Sequence, residues 1–146
     1  MYRSSGPRVR KAVERLGRNA AIVASGDMSH KLKADGPYGF APEGAVFDAF
    51  VRECLEQSDV RKLLTVEPGL AEAAAECGLR SVVMLAGAMD GLCVHSEVYS
   101  YEGPYGVGYL CASVRGDGFC GARKCADGCN MRCAFCRFGH TGPSGF

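Results

Sequence analysis

The sequence predicts an α/β fold, a mixed sheet flanked by helices and followed by a cysteine-rich tail. Three observations lead there. Residues 20–24 are a continuous apolar run of strand length, the pattern of a strand buried on both faces, and Arg80–Leu85 reads as a second buried strand. Several stretches repeat apolar residues at helical spacing. Residues 94–101 and 107–114 are two further strand-like runs, joined by a glycine-rich turn.

The elements follow in order. Ser5-Gly6-Pro7 is a helix start, Val9, Ala12, Val13 and Leu16 form its apolar stripe, and Gly17 is its stop. The arginines of this stretch read as a solvated helix face. Ala20-Ala21-Ile22-Val23-Ala24 reads as a buried strand that runs into Ser25-Gly26-Asp27-Met28-Ser29-His30, where open α/β sheets place their sites. Residues 35–40 form a turn-rich loop. A helix starts at Pro42-Glu43 and runs to about Gln57, with Val46, Phe47, Ala49, Phe50 and Cys54 on a broad apolar face. A short helix near 58–64, capped by Ser58, precedes one over 68–77 that ends at Gly78. Arg80 to Leu85 reads as the second buried strand, followed by small-residue punctuation at 86–91. About four strands and a few helices make a thin core.

Composition narrows the function classes. The chain has 146 residues and a net charge of +1, so nothing global points to nucleic acid. No apolar run reaches membrane-spanning length and no signal peptide opens the chain, so a cytoplasmic, membrane-free protein is expected. Hydrophobic residues make up 47% of the chain, which excludes disorder as a whole-chain description. Of the nine cysteines, six lie after residue 110. That asymmetry divides the chain into a body, 1–114, and a tail, 115–146.

Three features of the body carry chemistry. Gly26-Asp27-Met28-Ser29-His30 sets a carboxylate and an imidazole three residues apart in a loop after a strand, and histidine is the natural acid/base near neutral pH. A lone histidine there is nevertheless about twice as often a structural hydrogen-bonder. His95 and Glu97 share one face of a strand because side chains two apart point the same way. Tyr101-Glu102-Gly103-Pro104-Tyr105-Gly106-Val107-Gly108-Tyr109 is a glycine-laced aromatic segment beside a carboxylate. The Gly-Pro-Tyr-Gly stretches at 36–39 and 103–106 read as two turns.

Taken together and in this order, residues 24–30, Gly36-Pro37-Tyr38-Gly39-Phe40 with Phe47-Asp48, and residues 100–109 resemble the class III extradiol ring-cleavage dioxygenase superfamily. This is the LigB type, related to Memo proteins. The similarity spans roughly residues 2–114 and is greatest to the bacterial branch grouped with Memo-like and radical SAM proteins. The resemblance implies an α/β fold and a non-haem Fe(II) centre held by two His and one Glu, open to a catechol-type substrate and O2. It makes His30 the acid/base and lets Asp27 orient the loop or the ring. Glu97 or Glu102 becomes the iron ligand, and Tyr101 and Tyr105 line the substrate pocket. Family members are about twice as long and take both ligand histidines from their first half. The chain holds only His30, His95 and His140, so the expectation is the C-terminal part of such a domain without the full ligand set.

In the tail, Cys129, Cys133 and Cys136 form Cys-x3-Cys-x2-Cys, which resembles the cluster motif of radical SAM enzymes. A [4Fe–4S] cluster, a zinc site drawing on the neighbouring cysteines and His140, and a metal-free tail all remain open. A radical SAM protein is a candidate partner. Two functions stand side by side: a dioxygenase domain, and a non-catalytic metal- or partner-binding module with an incomplete active site.

Overall fold

The computed structural model describes residues 5–119. The tail cysteines Cys129, Cys133 and Cys136, and His140, lie outside the described residues. Among the described residues, four α-helices, a short 3₁₀ helix and a two-stranded sheet make up an α/β fold.

Helix α1 (Ser5–Leu16) matches its sequence signals and ends at Gly17, whose N–H donates to the Glu14 carbonyl. Helix α2 (Pro42–Glu56) starts with Pro in its first turn, where a missing N–H costs nothing, and carries Glu43 at its positive end. Its buried face comprises Gly44, Phe47, Asp48, Val51, Cys54 and Leu55. The 3₁₀ helix Lys62–Thr65 begins later than expected, and Ser58 does not cap it. Ser58 adopts a left-handed conformation just after α2, and its hydroxyl accepts the Ser96 N–H. Helix α3 (Pro68–Ala74) packs on α2, and α4 (Leu79–Ala88) packs on α1.

Strands β1 (Leu92–Glu102) and β2 (Tyr109–Phe119) form an antiparallel hairpin, with Ser96 opposite Val114 and Glu97 opposite Ser113. β2 thus runs past residue 114, where the sequence suggested the body ends. The register shifts between Val98 and Ser100. Val94 and Val98 face the core, while His95, Glu97 and Tyr99 point to solvent, the period-two alternation of a half-buried strand. Ser96 anchors the hairpin by donating its hydroxyl to the Leu55 carbonyl at the end of α2.

The core gathers Phe47, Val51, Cys54 and Leu55 of α2 with Leu63, Ala74, Ala86 and Met28. Burial raises the thiol of Cys54 to about 11.

Two expectations are corrected. Residues 80–85 are not a strand but part of α4. A short apolar run does not distinguish the two by periodicity, and here Leu79, Val82, Ala86 and Met89 recur at helical spacing against the core. The Leu79 N–H at the start of this helix is satisfied by the Glu76 carboxylate, at 2.6 Å. Residues 20–24 are not a buried strand either. No described strand lies alongside to complete their hydrogen bonds, and Val23 is 86% exposed. The sheet is accordingly two-stranded and antiparallel among the described residues, not mixed. Residues 20–24 instead flank an apolar cleft of about 620 Å3 between α1, α4 and β2.

No helix among the described residues is long and apolar enough to cross a membrane.

Candidate active site

The loop after residue 25 is held by a dense set of backbone bonds. Met28 N–H donates to Gly108 O at 2.8 Å, Gly108 N–H to Ser29 O at 2.7 Å, and Leu32 N–H to Gly106 O at 3.0 Å. The loop therefore behaves as a short strand laid against the segment that enters β2. His30 N–H donates to Ala74 O at 3.1 Å, which ties the loop to the end of α3.

The two Gly-Pro-Tyr-Gly turns meet across this loop. The first folds back between Leu32 and Phe40, which form an isolated bridge, and brings Tyr38 over His30. The second connects β1 to β2, and Lys33 reaches over to donate to its Pro104 carbonyl at 2.8 Å. Tyr105, at its tip, is 73% exposed.

His30 and Asp27 come together as their spacing suggests. His30 Nε2 lies 3.6 Å from Asp27 Oδ2, with the imidazole largely buried and the carboxylate half exposed. The Tyr38 ring stacks on the imidazole, with centroids 5.0 Å apart and planes inclined by 24°. The imidazole thus has an aromatic wall on one face and a carboxylate at one nitrogen, an arrangement that orients a proton-transfer group.

The structure adds a third group, Cys77. Its thiol accepts the Asp27 N–H at 3.2 Å. Donor atoms of Asp27, His30 and Cys77 all lie within 4.8 Å of one another, close enough to share one metal ion after a small closure. Glycine permits this approach. Gly26 has φ of +154°, and a Cβ there would overlap the Gly78 Cα.

The remaining sequence candidates fall elsewhere. Glu97 is exposed on the solvent face of β1 beside His95, and Glu102 is exposed at the strand's end. Neither belongs to the Asp27–His30–Cys77 group. The described residues thus assemble one carboxylate, one imidazole and one thiol, and no set of two His and one Glu.

Tyr101 points inward. Its hydroxyl donates to Asp48 Oδ2 at 2.7 Å, and Arg52 covers its ring with the guanidinium 5.5 Å from the centroid. Burial, then the bond to Asp48, pushes the Tyr101 phenol far above its ordinary value, so it remains a donor at any physiological pH. Asp48 is only 2% exposed, and its Oδ1 accepts the Ser29 N–H at 2.7 Å. Burial raises the Asp48 carboxyl, against the opposing pull of Tyr101, the Ser29 N–H and the neighbouring His30.

Sequence reasoning did not place Cys77, Tyr38 or Asp48 at the site. Asp48 left a trace: a carboxylate within the apolar face of α2, where a buried acid requires partners. Cys77 left none, since it lies 50 residues from Asp27 along the chain.

Residues 2–112 match the family model of the catalytic LigB subunit of aromatic ring-opening dioxygenase. A curated relative, Protein CA_C1420 of Clostridium acetobutylicum, is 44% identical over 104 residues, covering 71% of this chain and 22% of its own length. The chain therefore spans about a fifth of the curated relative it matches. With the family match extending over most of the sequence, the chain belongs to the LigB family of the ring-opening dioxygenase superfamily.

Proposed function

We propose that this chain carries the proton-transfer part of a non-haem Fe(II) extradiol dioxygenase that cleaves small catechol-type rings with O2. The observation that carries the reading is His30, held between the Asp27 carboxylate and the Tyr38 ring in a loop within the stretch the family model matches. His30 takes a proton from one hydroxyl of the diol and returns it as the ring opens. Asp27 orients the imidazole and balances its charge while it holds the proton. The iron of such an enzyme needs donors beyond Asp27, His30 and Cys77, because this group does not reproduce two His and one Glu.

The test joins this chain to the part of such a domain that supplies the missing iron donors, loads it anaerobically with Fe(II), and adds catechol and air, with the yellow ring-opened product followed by absorbance. His30→Ala should lower turnover by about 100-fold or more while sparing bound iron. Loss of iron in that variant would make His30 a metal donor beside Asp27 and Cys77 instead. That outcome favours the second reading, a metal-binding module, for which the compactness of the three donors speaks. Acid-labile sulfide, measured on the same samples and on Cys133→Ala, tests the tail as an Fe–S site against a zinc site.

A further inference from the structure

We infer that Asp48, with Tyr101 as its partner, is the positioning residue that sets His30 for proton transfer. The inference rests on the proposed role of His30 and assigns two groups that this role does not itself require. It starts from an anomaly in α2. A carboxylate in a buried apolar face is costly, and an apolar side chain of similar size would fill the same space at no such cost. Asp48 is retained there with both oxygens occupied and almost no solvent contact.

What an apolar residue does not supply is a bond to the backbone of the residue next to His30. Oδ1 of Asp48 fixes the Ser29 N–H at 2.7 Å. The rest of Ser29 is fixed as well. Its hydroxyl donates to Ala74 O at 3.0 Å and accepts the Lys31 N–H at 3.0 Å, and its carbonyl accepts the Gly108 N–H at 2.7 Å. Every polar group of a fully buried residue is thereby held, and the direction in which the chain enters His30 follows from it. Tyr101 locks the clamp from the other side by donating to Oδ2. The approach is tight: a Cβ at Gly108 would strike the Asp48 carboxylate and come within 2.9 Å of Met28 Cβ.

Asp48 thus acts through Ser29, its hydrogen bonds reaching Ser29 and Tyr101 and none of Asp27, His30 or Cys77. These bonds join α2 to the loop and to β1. Tyr101 serves the clamp with its hydroxyl instead of offering that hydroxyl to a substrate.

The test compares Asp48→Ala, Asp48→Asn and Tyr101→Phe in the full chain. The first readout is the proton NMR shift of the His30 ring, which the stacked Tyr38 displaces by its ring current. Asp48→Ala should move that resonance toward its unstacked position and weaken the His30–Tyr38 cross-peaks. Asp48→Asn keeps one oxygen for the Ser29 N–H and should restore most of the wild-type shift. Tyr101→Phe should fall between them. The second readout is ring cleavage in the protein completed with the missing iron donors: Asp48→Ala should lower kcat by about 10–100-fold and leave KM within about threefold, the signature of a misplaced catalytic group. An Asp48→Ala protein that does not fold leaves the decision to Asp48→Asn and Tyr101→Phe. If neither Tyr101→Phe nor any folded Asp48 variant moves the His30 resonance, the inference is overturned. Absence of ring cleavage in the wild-type protein completed with the missing iron donors would sink the proposed reaction, while the NMR comparison would still judge the clamp.

Discussion

Residues 20–24 and 26–32 are neighbours in the chain and reach opposite ends. The first segment is wholly apolar, yet Val23 stands 86% exposed and no backbone–backbone hydrogen bond ties it to the other described residues. The second is rich in polar groups, yet Met28 and Ser29 are buried and the backbone N–H groups from Met28 to Leu32 have partners. Apolar composition alone does not bury a segment. Burial also requires that each backbone N–H and C=O find a partner. The 26–32 loop finds its partners in Gly106, Gly108, Ala74 and Asp48. Among the described residues, 20–24 has no such strand beside it.

The largest effect expected from this contrast lies in the core that supports the loop. Phe47 is fully buried next to Asp48, and Phe47→Ala should destabilise the chain by about 3–5 kcal/mol, read as a lower urea midpoint. A loss below about 1 kcal/mol would mean that α2 is not the platform of the site.

A smaller effect concerns pH. The Asp48 carboxyl is raised by burial above its ordinary 3.8, so folding favours its protonated form. Its contribution to stability is complete below the unfolded value and declines as pH rises through the folded one. Relative to Asp48→Asn, which stays neutral, the wild-type chain should therefore lose stability between pH 3 and pH 7. Urea midpoints of both proteins at the two pH values check the sign. A wild-type advantage that grows with pH would show that the hydrogen bonds from Ser29 and Tyr101 outweigh desolvation.

The smallest effect belongs to the other segment. Val23→Ser should change stability by no more than about 0.5 kcal/mol, since the side chain is already in water. A loss above about 1 kcal/mol would break the comparison by showing that Val23 is covered in solution.

Much of the fold was legible. Pro42 and Pro68 mark helix starts because their fixed φ and missing N–H suit a first turn, and α2 and α3 begin there. The two strands of the hairpin were legible as strand-like runs on either side of a glycine-rich segment, and β1 and β2 lie there. Residues 80–85 misled because a short apolar run satisfies a strand and a buried helix equally. Residues 20–24 misled for another reason: the composition of a buried strand says nothing about whether a pairing strand is present.

The site was half legible. Asp27 and His30 sit three residues apart in one loop, and local geometry brings them to 3.6 Å. Glu97 and Glu102 attracted attention as carboxylates near other polar groups, but strand parity and the hairpin turn leave both exposed. Tyr101 had the right surroundings for a pocket wall, whereas its hydroxyl engages Asp48.

The sequence by itself determined the starts of α2 and α3, the two strands of the hairpin and the Asp27–His30 pair, because each rests on spacings of a few residues that local backbone geometry converts into proximity; the family showed as a resemblance of several motifs in order. Tertiary structure alone decided that Cys77, Tyr38 and Asp48 surround the same loop. Those contacts depend on α2, α3 and the hairpin packing together, and chain order does not reveal which distant residues a shared core will bring within hydrogen-bonding reach.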